Sequence, residues 1–254
     1  MTSIRQKQDF DPEIVKIAQP IANQLISLEK EGYTSTLVPF KQRSNQVECA
    51  VHECVTEVVE MIARASQIIQ ARFQKEEQIP DADIPQEATL ATWTSLFDVM
   101  YEKIHNRDPQ VQKEVFSQPM QEYFSIPWPF MDRVFHLAGA LFEEKEYGQA
   151  ESVYAFLGTL QPAVFEYWYG KAVCQQAQNN LEMALMTYGI SLALQPENPR
   201  IYYQMAYCLT LLDTPQAAVK ALDMAISYAE KDPNQQEVLQ QAKALKASLK
   251  SNMS

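Results

Sequence analysis

The segment YWYGKAVCQQ (residues 167–176) is answered 34 residues later by IYYQMAYCLT (201–210), with aromatic, alanine and cysteine residues at matching places. The same step of 34 relates Pro162 to Pro196, Tyr154 to Tyr188, and Ala150 to Ala184 and Ala218. Working outward from this pair divides the C-terminal half into three units: Met131–Val164, Phe165–Asn198 and Pro199 to about Asp232. The fourth place of each unit holds Val134, Trp168 and Tyr202; the eighth holds Ala138, Ala172 and Ala206. Ala150, Ala184 and Ala218 stand at the twentieth place, and Tyr154, Tyr188 and Leu222 at the twenty-fourth. Pro162 and Pro196 close the first two units at place thirty-two, where the third has Glu230 and a proline displaced to Pro233.

This recurrence has a physical meaning. Small residues let two helices of a hairpin approach closely, large ones at places four and twenty-four fill the space between them, and proline stops the second helix. A repeat of 34 residues is the period of the tetratricopeptide repeat, a two-helix hairpin that stacks on copies of itself. The expected fold is all-α: a three-repeat α-solenoid (131–250, with a capping helix) preceded by an N-terminal helical domain (1–125) and a proline-rich connector (126–130). After the third unit, residues 234–250 read as one further helix. Val238, Ala242, Leu245 and Leu249 lie on one side and lysines elsewhere, as the cap of a repeat stack requires. Lys243, Lys246 and Lys250 would complement its dipole.

Four helical patterns precede the repeats. Residues 13–29 open with Asp11-Pro12 and end before Gly32, with Pro20 as a kink. Residues 45–77 carry a stripe of Val47, Val51, Cys54, Val58, Ile62, Ala65, Ile69 and Phe73 at steps of three and four. Two placements satisfy that stripe: the core of the N-terminal domain, or a homodimer seam. Residues 87–105 and a segment from about Asp108 to Pro119 follow a proline-containing loop. SIPWPF (125–130) reads as a stiff extended connector and as the domain boundary.

Bulk properties narrow the function classes. The chain has 254 residues, 46% of them apolar and only six glycine, which suits a helical protein with a sizeable core. A net charge of −11 repels phosphate backbones, so no nucleic-acid partner is expected. No secretory leader and no apolar run able to span a bilayer is apparent, so membrane insertion is not expected. Cys49, Cys54, Cys174 and Cys208 fall within helical patterns, as reduced thiols of a cytoplasmic protein do. The three histidines (52, 105 and 136) have no catalytic neighbours, and no nucleophile elbow or phosphate loop occurs. Cys49 and Cys54 sit about 140° apart on a helix and no second ligand pair follows, so no metal or cofactor is expected. The carboxylates Glu53, Glu57 and Glu60, and Glu143, Glu144 and Glu146, read as solvated helix faces. The chain is expected not to be an enzyme.

In such a stack the first helix of each hairpin lines the concave side. Places two, five, six, nine, twelve and thirteen then present Phe135, His136, Gly139, Phe142, Tyr169, Gly170, Val173, Gln176, Arg200, Tyr203, Tyr207 and Leu211, with Gln204 beside them. This set contains five aromatics and a single full cation, Arg200. It suits an apolar or proline-containing extended segment whose backbone bonds to Gln176 or Gln204. Peptide carboxylates, by contrast, call for several lysines or arginines. Gly139 and Gly170 either admit a ligand backbone or ease helix packing.

The segments YWYGKAVCQQ (167–176), ENPRIYYQMAYCL (197–209) and FHLAGALFEEKEYGQAESVYAFLGTLQP (135–162) resemble the class II chaperones of bacterial type III secretion. Gly170, Ala172, Cys174 and Gln176, and Pro199-Arg200 with Ala206, Cys208 and Leu209, carry the resemblance, which covers about residues 131–232. It implies a non-enzymatic, cytoplasmic holder of a secreted client, a hydrophobic translocator or effector bound as an extended segment with spaced prolines and an aliphatic residue. The family is usually shorter, and residues 1–125 have no placed counterpart. They are open to dimerisation, to clasping the client, or to binding a secretion-apparatus component. The alternative reading is a general repeat scaffold or adaptor for assembly or regulation of a bacterial complex.

Overall fold

The computed structural model describes residues 40–77, 88–91 and 119–253, with isolated positions 19, 22, 94 and 95. The expected helices at 13–29, 87–105 and 108–119 therefore lie largely outside the described residues. Those described form α1 (Phe40–Glu76), α2 (Met120–Tyr123), α3 (Trp128–Glu143), α4 (Tyr147–Leu160), α5 (Phe165–Ala177), α6 (Leu181–Leu194), α7 (Pro199–Leu211), α8 (Pro215–Ala229), a 3₁₀ turn (Pro233–Gln235) and α9 (Gln236–Met253). From α3 onward each helix packs on its predecessor and its successor, as in a repeat solenoid.

The repeat columns do what their residue types require. Ala138, Ala172, Ala206, Ala150, Ala184 and Ala218 are all fully buried at the helix crossings, and Tyr188 and Leu222 fill the interior beside them. At place four Val134 is fully buried as a filler, and the two aromatics add a second role. Trp168 and Tyr202 are half-buried and reach across the joint to the preceding unit. The Trp168 indole donates to the Pro162 carbonyl at 2.9 Å, and the Tyr202 hydroxyl to the Pro196 carbonyl at 3.0 Å. The proline that ends one unit is thus also the acceptor that ties it to the next.

The hairpin turns repeat as well. Lys145, Asn179 and Asp213, again 34 apart, adopt left-handed φ values of 65°, 59° and 53°. After each, the following amide donates back to the helix end: Glu146 to Leu141, Asn180 to Gln175 and Thr214 to Leu209, at 2.9–3.0 Å. This is the Schellman closure, usually made with glycine. Its residues share no side-chain chemistry, so the column is invisible in the sequence.

The expected connector at 125–130 is extended only around Ile126–Pro127. Trp128 begins α3, with Pro129 in its first turn, where a missing N–H costs nothing. Upstream, α1 starts at Phe40 and lies along α4, with further contact to α3. Ala65, Ile69 and Phe73 from its stripe are fully buried in one cluster with Phe130, Val134, Leu141, Phe156 and Leu160. Arg133 clamps this joint. Its guanidinium lies 3.5 Å over the Phe73 ring and donates to Glu76 at 2.8 Å, Glu77 at 3.1 Å and the Ala88 carbonyl at 2.6 Å. Arg72 forks onto Glu144 at the far end of α3, which holds that carboxyl below the usual carboxylate range.

At the other end α9 covers the third hairpin, with Ala242 and Leu249 joining Ala218, Leu222 and Ala225. Two of its lysines pair with the preceding hairpin: Lys243 with Glu230, just past the end of α8, at 2.8 Å, and Lys246 with Asp223 of α8.

Candidate peptide-binding hollow

The first two units leave a hollow of about 280 Å³ between α3 and α5. Phe135, Gly139 and Phe142 line it from α3, Tyr169, Gly170 and Val173 from α5, and Tyr154 from α4; Glu143 and Glu166 complete the lining. This brings together five of the predicted groove residues, with Gly139 as a sixth.

Tyr154 forms part of the wall shared by both helices. A Cβ on Gly170 would meet its ring at 2.6 Å, while a Cβ on Gly139 would lie 4.0 Å from its hydroxyl. The two glycines therefore have different roles. Gly170 exists for the packing of Tyr154, and Gly139 leaves open space. Phe135 meets the Tyr154 ring edge-to-face, with centroids 5.8 Å apart at 71°, and Tyr167 at 5.7 Å. Tyr169 is braced by Phe165 at 5.4 Å and Tyr188 at 5.8 Å. Burial, with a contribution from nearby Cys174, pushes the Tyr154 phenol up to about 12. It is therefore a neutral donor at physiological pH, and among the described residues no partner takes up its hydroxyl.

The remaining predicted groove residues distribute differently. Gln176 is consumed internally: its Oε1 accepts from the Tyr188 hydroxyl at 2.8 Å and the Cys208 thiol at 3.4 Å, and its Nε2 donates to Gln204 at 3.1 Å. These two glutamines knit the second and third units together, a structural use of side chains expected to hold a client backbone. Tyr203 packs partly onto the third core cluster. Tyr207 and Leu211 are exposed, at 41% and 52%. His136 and Arg200 are exposed too, and the Arg200 amide is capped by Asn198 at 3.0 Å.

Three lining residues lie outside the predicted groove set: Tyr154, expected as an interior filler at place twenty-four, and two carboxylates. On sequence, Glu143 reads as part of a solvated face and Glu166 is not singled out. The two carboxylates stand at places thirteen and two of their units, within the same inward register as the aromatics, so the repeat alignment itself held the signal. Glu144, one residue on, does turn outward to Arg72.

Burial also governs the thiols. Cys174 is pushed up to about 12 by burial and the neighbouring Glu151 carboxylate, and Cys208 to about 11 by burial. Neither is a nucleophile at neutral pH. Among the described residues no cluster of histidine, cysteine and carboxylate side chains could hold a metal, and no helix is long and apolar enough to cross a membrane.

Comparison with known proteins agrees with this geometry. The tetratricopeptide repeat family model matches residues 131–163, the first hairpin. No curated protein matches by sequence. Among solved structures, a T3SS complex from Aeromonas hydrophila superposes with TM-score 0.54 at 16% identity, over 57% of this chain and 98% of the other. The type III secretion translocator chaperone SycD of Yersinia enterocolitica superposes with TM-score 0.50 at 18% identity, over 52% and 98%. The CopN–Scc3 complex does so with TM-score 0.50 at 20% identity, over 59% and 98%. The all-helical repeat fold of this chain is the fold of these proteins.

Proposed function

We propose that the chain is a non-enzymatic chaperone that holds an extended apolar segment of a type III secretion client, a hydrophobic translocator or effector, in the bacterial cytoplasm before export. One observation carries this reading: an aromatic-walled hollow on the inner helices of the first two repeats, open at Gly139 and small enough for side chains only. At about 280 Å³ it lies just below the usual range of ligand pockets, roughly 300–1,000 Å³, a size suited to one or two side chains. Seating one aliphatic side chain there contributes about 1.5–3 kcal/mol of apolar burial. The likeness of the fold to a translocator chaperone supports the choice of client class. The N-terminal residues, of which α1 buttresses the first repeat, remain available for a homodimer or a secretion-apparatus component.

The test is titration calorimetry against overlapping peptides from secreted translocators and effectors of the source bacterium. A short extended segment should bind, and Gly139→Leu, which fills the hollow, should weaken it tenfold or more while circular dichroism stays unchanged. Tyr169→Ala should cost about one to a few kcal/mol, as aromatic anchors do. Binding that ignores both substitutions would remove the hollow from the account.

A further inference from the structure

The hollow is apolar within but acidic at its lining. Glu143, at the end of α3, and Glu166, in the first turn of α5, border it from its two sides. Both are exposed, and among the described residues neither is held in an ion pair. Nearby carboxylates are otherwise engaged: Glu144 with Arg72, and Glu151 with the amides of Gln175 and Gln178 at 2.8 Å. Two unspent carboxylates thus flank an aromatic cavity, on a chain whose net charge is −11. The Tyr154 hydroxyl, in a residue only 8% exposed, borders the same space and has no hydrogen-bond partner among the described residues.

Resting on the reading above, we infer that this hollow selects an extended segment in which a Lys or Arg stands beside the aliphatic anchor, the anchor entering between Phe135, Tyr154 and Tyr169 and the cation meeting Glu143 and Glu166. The phenol of Tyr154 donates to a carbonyl of the bound backbone. Charge complementarity decides the occupant. An acidic flank would bring a third negative charge to the two carboxylates that border the hollow, whereas a basic flank meets opposite charge and is steered in by the long-range field of the protein. Because the carboxylates are exposed, the preference is salt-sensitive.

The experiment is a selection from a display library of random nonapeptides on immobilised full-length protein, run in parallel on Glu143→Gln/Glu166→Gln and on Gly139→Leu. The double variant is isosteric at two exposed positions, and circular dichroism checks its fold. Wild type should enrich aliphatic residues with Lys or Arg within two positions by at least fivefold over the starting library. The double variant should keep the aliphatic enrichment and lose the basic one. The basic enrichment should shrink when salt is raised from 50 to about 500 mM. Aliphatic enrichment without a basic neighbour, or a basic preference that survives the double variant, overturns the inference and leaves the groove reading standing. Failure of wild type to enrich anything, or enrichment unaffected by Gly139→Leu, overturns both.

Discussion

The ring of Tyr154 occupies the space that a Cβ at position 170 would need, with Cε1 and Cζ 2.6 Å from that point. Tyr154 is on the second helix of the first repeat and Gly170 on the first helix of the second, so the joint between the repeats is a ring laid on bare backbone. Alanine normally favours a helix over glycine by about 1 kcal/mol. Here the clash outweighs it. Gly170→Ala should lower stability by about 1–3 kcal/mol, as overpacking does, whereas Gly139→Ala, with 4.0 Å of clearance, should be neutral or stabilising. Urea unfolding of the two variants checks this; a Gly170→Ala protein as stable as wild type would contradict the packing.

Arg133 should matter more than a surface arginine. Its side chain is only 11% exposed, and it serves two carboxylates, a carbonyl and the Phe73 ring at once. Arg133→Ala leaves the Glu76 and Glu77 charges close together and uncovers Phe73, so a loss of about 2–4 kcal/mol is expected. Hydrogen exchange should show α1 losing protection ahead of α5 to α9. Uniform loosening of the whole chain would mean that α1 is not held chiefly through this residue.

The left-handed turn residues predict opposite outcomes for two substitutions. Asn tolerates φ of 59° and a β-branched residue does not, so Asn179→Val should destabilise by about 1–2 kcal/mol. Lys145→Asn should be neutral or stabilise by up to about 0.5 kcal/mol. Thermal midpoints of both proteins decide the matter, and equal shifts for the pair would show that the turn geometry is not what sets them.

The buried thiols set a pH dependence on the alkaline side. Unfolded cysteine loses its proton near pH ~8.5, while Cys208 and Cys174 hold theirs to about 11 and 12 in the fold. Below roughly pH 8 both states are protonated and the contribution is complete. Above it the unfolded chain releases protons that the native state retains, so stability declines as pH rises toward those folded values. Thermal midpoints measured from pH 8 to 10 should fall, and less steeply in Cys174→Ala/Cys208→Ala. Iodoacetamide at pH 8 should label neither thiol until denaturant is added. Rapid labelling of Cys174 or Cys208 in the native protein, located by peptide mapping so that Cys49 and Cys54 are counted apart, would place them at the surface.

Sequence and tertiary structure divided the information unevenly. The period of 34 and the buried alanine columns were legible because close helix crossings permit few side chains, and that restriction leaves a repeating residue type. The same register pointed to the hollow at Phe135, Gly139, Phe142, Tyr169, Gly170 and Val173. It could not tell which polar side chains were free. Gln176 stands on the same inner face, and only the position of Tyr188 and Cys208 shows its amide already spent. Glu143 and Glu144 are neighbours of one type, separated in role by a single step of about 100° around the helix and by the chance placement of Arg72 from a distant segment. The turn column escaped because backbone angle, not side-chain chemistry, is what recurs there. The clamp of Arg133 on α1 escaped because its partners lie more than forty residues away. The order of the chain therefore determined the stack, since helix packing is read from local pattern. Long-range contacts decided which polar side chains at the hollow are left unengaged among the described residues.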